Sequence, residues 1–369
     1  MPRLFFVAGE ESGDIHGANV IRALDEQCPD LVCEGLGGQH MAEAGMTLRH
    51  DLANEGIMGF LEVVKHYPAI RRLFHDTLDH INAEQPDAVV LIDYPGFNIR
   101  LAKALQRTGI PIIYYISPQI WAWKKGRLKT LAQCVDHMMV IFPFEVELYE
   151  AAGVPCTYVG HPLLDHIEGV EAGPSLGGDP LVGLLPGSRA QEIERLMVPM
   201  LEVAQGVLEE MPKARFVIPC VNEARAEQVR TLVGDFPAKV MVGGMDQVLS
   251  QARACLVASG TATLQTALFG VPMCILYKTS TITYMMAKAV VDIEYIGIVN
   301  ILADRCIVPE FIQQDARSNK ILPQFLPLLT DSPERTRMLH DLHGVRDDLG
   351  SGGASHTAAC VILDVLEDA

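Results

Sequence analysis

Apolar and β-branched residues in the first half of the chain gather into short runs at Leu4–Ala8, Ala88–Asp93, Ile112–Ile116, Met138–Phe142 and Cys156–Val159. None alternates with polar residues, the pattern of parallel strands covered on both faces. Stretches of helical length separate most of them. In one, Ile15, Ala18, Ile21 and Leu24 recur every three residues, with Asp14 at the position of an N-cap. From Asp165 to Pro180 four glycines, two prolines and several acids break the rhythm and predict a linker. The runs then restart at Leu181–Leu185, Ala214–Pro219, Lys239–Val242, Ala254–Ala258 and Met273–Leu276. This predicts an α/β protein of two Rossmann-like doubly wound domains facing a cleft, residues 1–165 and 181–352, joined through 166–180.

Open parallel sheets bind ligands at the carboxyl ends of their strands, which directs attention to the residues after each run. After Ala254–Ala258 come Ser259, Gly260, Thr261, Ala262 and Thr263, then Gln265 on a short helix. A glycine at a strand-to-helix turn, with first-turn N–H groups and the helix dipole, suits a diphosphate; simple capping by Ser and Thr suits the same residues. After Leu181–Leu185, Ser188 and Gln191 have capping-box spacing. Arg189 then stands at a helix start as a counter-ion for a diphosphate, or as a solvated surface arginine. After the first strand, Glu10, Glu11 and Ser12 suit hydroxyl groups better than phosphate, with Asp14 as a cap and His16 on the helix surface. Asp93 ends the run AVVLI. It fits a general base at a strand tip and equally a hydrogen-bonded structural acid.

Composition narrows the field. The 369 residues, 49% of them hydrophobic, suffice for two cores, and a net charge of −17 argues against nucleic acid as a partner. No stretch approaches the roughly 20 apolar residues of a membrane-spanning helix, and the start lacks the make-up of a secretory signal. Nine cysteines without a C-x-x-C pair predict neither a disulfide framework nor a structural zinc site, as in a reducing cytoplasm. Against this acidic total, two segments mix aromatic and basic residues. Residues 57–74 carry Phe60, Leu61, Val63 and Val64 among Lys65, Arg71 and Arg72, with Pro68 expected to split them into two helical pieces. Residues 120–129 set Trp121 and Trp123 beside four basic side chains. Both suit a membrane interface, and both suit a buried helix beside a solvated charge run.

Nine strings in order resemble the lipid-A-disaccharide synthase family, glycosyltransferases of GT-B type, over nearly the whole chain. They are AGEESGD (8–14), MGFLEV (58–63), IDYPGFN (92–98), YISPQIWAW (115–123), FPFE (142–145), VGHPL (159–163), LLPGSR (184–189), ASGTATLQ (258–265) and NILA with VPEFIQ (300–303, 308–313). The resemblance implies inverting transfer of sugar from UDP-2,3-diacylglucosamine to 2,3-diacylglucosamine 1-phosphate (lipid X), giving a β(1→6) disaccharide and UDP. Asp93 is then the catalytic base. Arg189, residues 259–263, Gln265 and Asn300 bind the donor; Glu10, Ser12 and Asn98 line the acceptor side. No metal or cofactor is implied. Attachment to the inner leaflet of the cytoplasmic membrane through Phe60, Leu61, Val63, Val64, Trp121 and Trp123 is, as is a homodimer. The final helix, from about Gly353, is expected to return to the first domain. The chain departs from the family pattern at Gly96 (often Asp), Gln265 (usually Glu) and Val299 (usually Pro). A related hexosamine transferase, a UDP-sugar 2-epimerase and a non-enzymatic nucleotide-sugar sensor are the competing functions.

Overall fold

The computed structural model describes residues 1–53, 60–123, 126–170, 180–281, 283–285 and 294–368 and, of these, the side chains of all but 60–67, 122–123 and 368. The chain divides into two compact units, Met1–Asp165 with Ser351–Ala369, and His166–Gly350.

The first unit is built on β1 (Arg3–Ala8), β2 (Val32–Gly37), β3 (Thr47–Asp51), β4 (Ala88–Ile92), β5 (Ile112–Tyr115), β6 (His137–Val140) and β7 (Cys156–Tyr158). All pairs are parallel, in the order β3-β2-β1-β4-β5-β6-β7. Successive side chains point to opposite faces, so these unbroken apolar runs feed two cores. Phe5, Val7, Val89, Leu91 and Tyr114 enter one; Leu4, Phe6, Val90, Ile92 and Tyr115 enter the other.

Two strands escape the apolar pattern. In β2 the carboxylate of Glu34 is nearly buried and is held by Arg3, Arg49 and His80. Gly35 next to it leaves room for the backbone of β1, since a Cβ there would sit 2.0 Å from the Phe6 carbonyl oxygen. The exposed face of β3 likewise carries polar residues.

In place of the expected pair of short helices, the described residues from Phe60 onward form a single helix, Phe60–Glu84, that runs through Pro68. Pro68 is exposed, so water can meet the carbonyl that its ring leaves without a donor, while Ile70, Leu73, Phe74 and Leu78 pack the following turns onto the core. The expected linker also begins later than its composition suggests, because the helix Pro162–Glu168 occupies its first residues. Residues 171–179 lie outside the described residues.

The last helix, Ala354–Asp368, packs on the helix Glu11–Gln27 and adds Ala358, Ala359 and Ile362 to the second of the two cores. Asp165 caps it: its carboxylate accepts the N–H groups of Gly353 (2.5 Å), Ala354 (3.2 Å) and Ser355 (3.2 Å), and the Ser355 hydroxyl (3.3 Å).

The second unit repeats the scheme with β8 (Leu181–Leu185), β9 (Arg215–Cys220), β10 (Ala238–Val242), β11 (Ala254–Ala258), β12 (Met273–Tyr277) and β13 (Glu310–Ile312). Their order is β10-β9-β8-β11-β12-β13, again all parallel. In each sheet the strand order reverses once, between β1 and β4 and between β8 and β11. The loops leaving those strands are therefore the topological switch points. Among the described residues, no helix is long and apolar enough to cross a membrane.

Candidate active site

The switch point of the first unit brings together the loop after β1 and the turn after β4. Asp93 and Tyr94 both adopt left-handed backbone, with φ of +43° and +47°, directly before the helix Pro95–Leu105. Two such residues in succession are costly for L-amino acids and persist only where the surroundings over-determine them. Here they do. The Asp93 N–H donates to the Tyr115 carbonyl (2.9 Å), and the Asp93 carbonyl accepts the Tyr114 hydroxyl (2.6 Å) and the Asn98 amide (2.8 Å). The Tyr94 ring stacks on Phe97 at 6.0 Å and fills the space over Gly9, where a Cβ would lie 2.2 Å from the ring. Only glycine fits at position 9.

This turn sets Asp93 in the wall of a cavity of about 440 Å³, with Ser117, Arg127 and Phe142 on other walls. Burial, then the charge of Glu10, pushes the Asp93 carboxyl up to about 6, against the hydrogen bond from the Tyr94 N–H. A carboxylate titrating there is ionised at neutral pH yet basic enough to accept a proton from an alcohol in a transition state. Glu10 is half-buried and Ser12 exposed, both at the start of the helix Glu11–Gln27.

Several residues expected at the site do something else. Asn98 is wholly buried; its amide nitrogen reaches the Ile92, Asp93 and Val7 carbonyls and braces the Asp93 turn from below. Asp14 does not cap its own helix, which begins at Glu11. Its carboxylate instead accepts the N–H groups of Gly38, His40 and Met41 and caps the helix Gln39–Glu43. His16 is no helix-surface residue: its Nδ1 is buried without a partner among the described residues, and burial lowers the ring to about 4. Trp121 donates its indole N–H to Glu145 at 3.1 Å and meets Phe144 edge-on, so its polar end faces the protein and is not free to anchor a membrane. Phe60, Leu61, Val63, Val64 and Trp123 have side chains outside the described residues.

Glu145 and Ser117 carry no role in the sequence reading, and Arg127 enters it only among the four basic residues of 120–129. Glu145 is almost fully buried and accepts the Ser117 hydroxyl at 2.5 Å; burial pushes it up to about 7, against those hydrogen bonds. An acid directly after the apolar string Phe142–Phe144 was its signal, because a charge among aromatics is buried only when it is bonded.

In the second unit, the helix Ala190–Glu210 begins one residue later than the Ser188–Gln191 spacing implies, with Arg189 at the N-cap. Glu192 reaches back to the Arg189 N–H (3.3 Å) and pairs with its guanidinium (2.9 Å), leaving the arginine side chain 68% exposed. The turn after β11 leads into the helix Thr261–Leu268. Among the described residues, no acceptor meets the N–H groups of Gly260, Thr261 or Ala262, and nothing lies within 4 Å of where a Gly260 Cβ would be. Thr263 is buried and turns both its N–H and its hydroxyl onto the Gly260 carbonyl, fixing the turn. Ser259 donates to the Ile296 carbonyl at 3.3 Å. Three open donors and a helix dipole form an anion-binding geometry.

Gln265 donates to Asp246 (2.8 Å), whose other oxygen pairs with His166. A glutamate at 265 would face that carboxylate, so the amide suits its neighbour. Asn300, expected on the nucleotide side, is fully buried. It donates to the Val308 carbonyl and Glu310 and accepts the N–H groups of Ile307 and Val308, so it locks its own loop. Among the described residues, no cluster of His, Cys, Asp or Glu could hold a metal ion.

A family profile described as lipid-A-disaccharide synthetase matches residues 4–365. The lipid-A-disaccharide synthase of Geobacter sulfurreducens is 40% identical over 99% of this chain and 97% of its own length. Lipid-A-disaccharide synthase 1 of Legionella pneumophila is 38% identical over 99% and 96%. Among solved structures, the UDP-GlcNAc 2-epimerase from Neisseria meningitidis bound to UDP-GlcNAc superposes with a TM-score of 0.66 over the full length of both chains. At 13% identity that likeness concerns the fold, the two-sheet GT-B architecture.

Proposed function

The chain belongs to the lipid-A-disaccharide synthase family and is a glycosyltransferase that forms the lipid A disaccharide; from that premise we propose that it joins UDP-2,3-diacylglucosamine to 2,3-diacylglucosamine 1-phosphate with inversion at the anomeric carbon. The observation that carries the mechanism is the Asp93 carboxylate, held by a braced left-handed turn on the cavity wall and lifted to about 6.

In this reading the acceptor 6-hydroxyl attacks C1 of the donor sugar. Its proton passes to an Asp93 oxygen, the new C1–O6 bond forms, and the bond from C1 to the diphosphate oxygen breaks. UDP departs carrying the electron pair. One displacement inverts an α-linked donor to a β-linked product. The N–H groups of Gly260, Thr261 and Ala262 take the charge growing on the diphosphate, and Arg189 adds a cation once it swings from Glu192. That ion pair is exposed, so breaking it costs little, about 0–1 kcal/mol. Glu10, whose charge reaches Asp93, and Ser12 two residues on would meet sugar hydroxyls. Gln265 and Asn300 shape the donor turns without contacting the donor. Both substrates carry acyl chains, and the reading extends to a cytoplasmic enzyme resting on the inner leaflet through residues 60–64.

The test is an assay of the purified protein with both acylated substrates, reading UDP release and the anomeric configuration of the product by NMR. A β(1→6) disaccharide 1-phosphate is expected. An α-linked product removes the single displacement, and faster consumption of unacylated UDP-N-acetylglucosamine favours an epimerase or hexosamine transferase.

A further inference from the structure

The cavity beside Asp93 has a second charged wall. Arg127 lies in the first turn of the helix Gly126–Cys134, whose Leu131 and Cys134 are buried in the core, so the element carrying it is fixed. Its side chain is half-buried and lines the same space of about 440 Å³ as Asp93. The arginines at 3, 49, 189, 230, 253 and 305 each pair with a carboxylate, while Arg195 and Arg337, among others, pair with none among the described residues; Arg127 differs from these in lining the cavity beside Asp93. Among the described residues, Arg127 pairs with none. It does not serve as counter-ion to Asp93 either, since that carboxyl is raised by burial and Glu10 despite a guanidinium on the same cavity. An arginine left open in a pocket is a site for an anion that arrives from outside.

The remaining walls say what kind of anion. Ile116, Ile120, Ile141 and Phe142 give the cavity apolar sides, and Ser117 and Gln119 give it hydroxyl and amide groups. That mixture fits a sugar ring, which offers C–H faces and hydroxyl edges, and the volume is in the range of small-molecule pockets. In a net charge of −17, with Asp93 lining the cavity and the charge of Glu10 acting on it, an anionic sugar needs a cation in the same cavity.

We propose that Arg127 binds the phosphate of the acceptor, so that this one cavity holds the acceptor head group with its phosphate on Arg127 and its 6-hydroxyl on Asp93. C1 and C5 flank the ring oxygen of one pyranose, so the 1-phosphate and the 6-hydroxyl leave the ring side by side and suit two residues that line one cavity, as Asp93 and Arg127 do. Arg127 is thus a specificity determinant: it selects a phosphorylated acceptor and orients its 6-hydroxyl. The assignment rests on the acceptor proposed above.

The experiment measures binding without donor, so that no turnover is required. The full-length protein is titrated with 2,3-diacylglucosamine 1-phosphate and with unphosphorylated 2,3-diacylglucosamine, each in neutral detergent micelles, and with UDP. Wild type is expected to prefer the phosphorylated lipid at least 10-fold. Arg127→Gln should lose about 10- to 100-fold in affinity for that lipid alone, the worth of a charge-assisted hydrogen-bond pair. Arg127→Lys should recover part of the loss, and UDP affinity and melting temperature should stay put. An undiminished preference in Arg127→Gln, or equal weakening toward both lipids, overturns the assignment. Failure of the reaction reading looks different: wild type would discriminate between the lipids and yet form no disaccharide.

Discussion

Replacing Asp93 by Asn should damage activity and improve stability at once. Asn is nearly isosteric, tolerates the left-handed φ of +43° at this position, and can still accept the Tyr94 N–H. What disappears is a buried charge. Because the folded-state carboxyl titrates near 6 and an exposed one near 4, the native protein binds a proton more readily than the unfolded chain between those pH values. Stability of the wild type therefore falls as pH rises through that window. The difference corresponds to about 3 kcal/mol, and screening at this half-buried site reduces it to about 1–2 kcal/mol. At pH 7.5 the Asn variant should melt about 3–6 °C higher, and below pH 4 the two curves should coincide. Its kcat should fall about 10²- to 10⁴-fold, the range for loss of a general base, with UDP affinity unchanged. Calorimetry at the two pH values and initial rates of UDP release give both readouts. The wild-type rate should also decline below about pH 6 as Asp93 takes up a proton. Full activity in the variant, or a lower melting temperature at pH 7.5, refutes the reasoning.

Arg189→Ala should change stability by less than about 0.5 kcal/mol, because it removes only an exposed pair, yet weaken UDP binding severalfold by calorimetry; unchanged UDP affinity would remove Arg189 from the donor site. Polar substitution of Phe60, Leu61, Val63 and Val64 together should shift the protein from the pellet to the supernatant when it is sedimented with anionic vesicles. If partition stays the same, those side chains belong to the core. Asp165→Ala strips the cap from the last helix and should lower stability by about 1–2 kcal/mol, with faster amide exchange in residues 354–368; exchange at the wild-type rate there would contradict the capping role.

Strands buried on both faces were the most legible part of the chain. The bounds of β8 and β11 match their apolar runs, and β1, β4 and β5 match theirs to within a residue, because in such strands burial and sequence pattern are the same fact. β2 was hidden because its charge is neutralised by Arg3, Arg49 and His80, partners that no local window can pair with it. Asp14 shows the same limit from the other side. A capping residue is recognised by its immediate successors in the chain, and this one caps a helix start 24 to 27 residues ahead. Within the site, the position of Asp93 at a strand tip could be read directly, whereas the left-handed pair that aims it depends on Tyr114 and Tyr115 arriving from the neighbouring strand, with Asn98 adding a bond from the helix that follows. Asn98 and Asn300 both turn their side chains onto nearby backbone. A strategic asparagine looks alike in sequence whether it serves a ligand or its own loop, and only burial separates the two.

The first unit is completed by residues that the chain supplies after 185 others have intervened, since Ala358, Ala359 and Ile362 fill a core begun by Leu4 and Phe6. A ribosome that has finished β7 has therefore produced a body with one greasy flank still bare. That flank must wait, through synthesis of every strand from β8 to β13, for its cover to emerge. Nascent chains of this protein should thus lean on chaperones longest at the end that was made first.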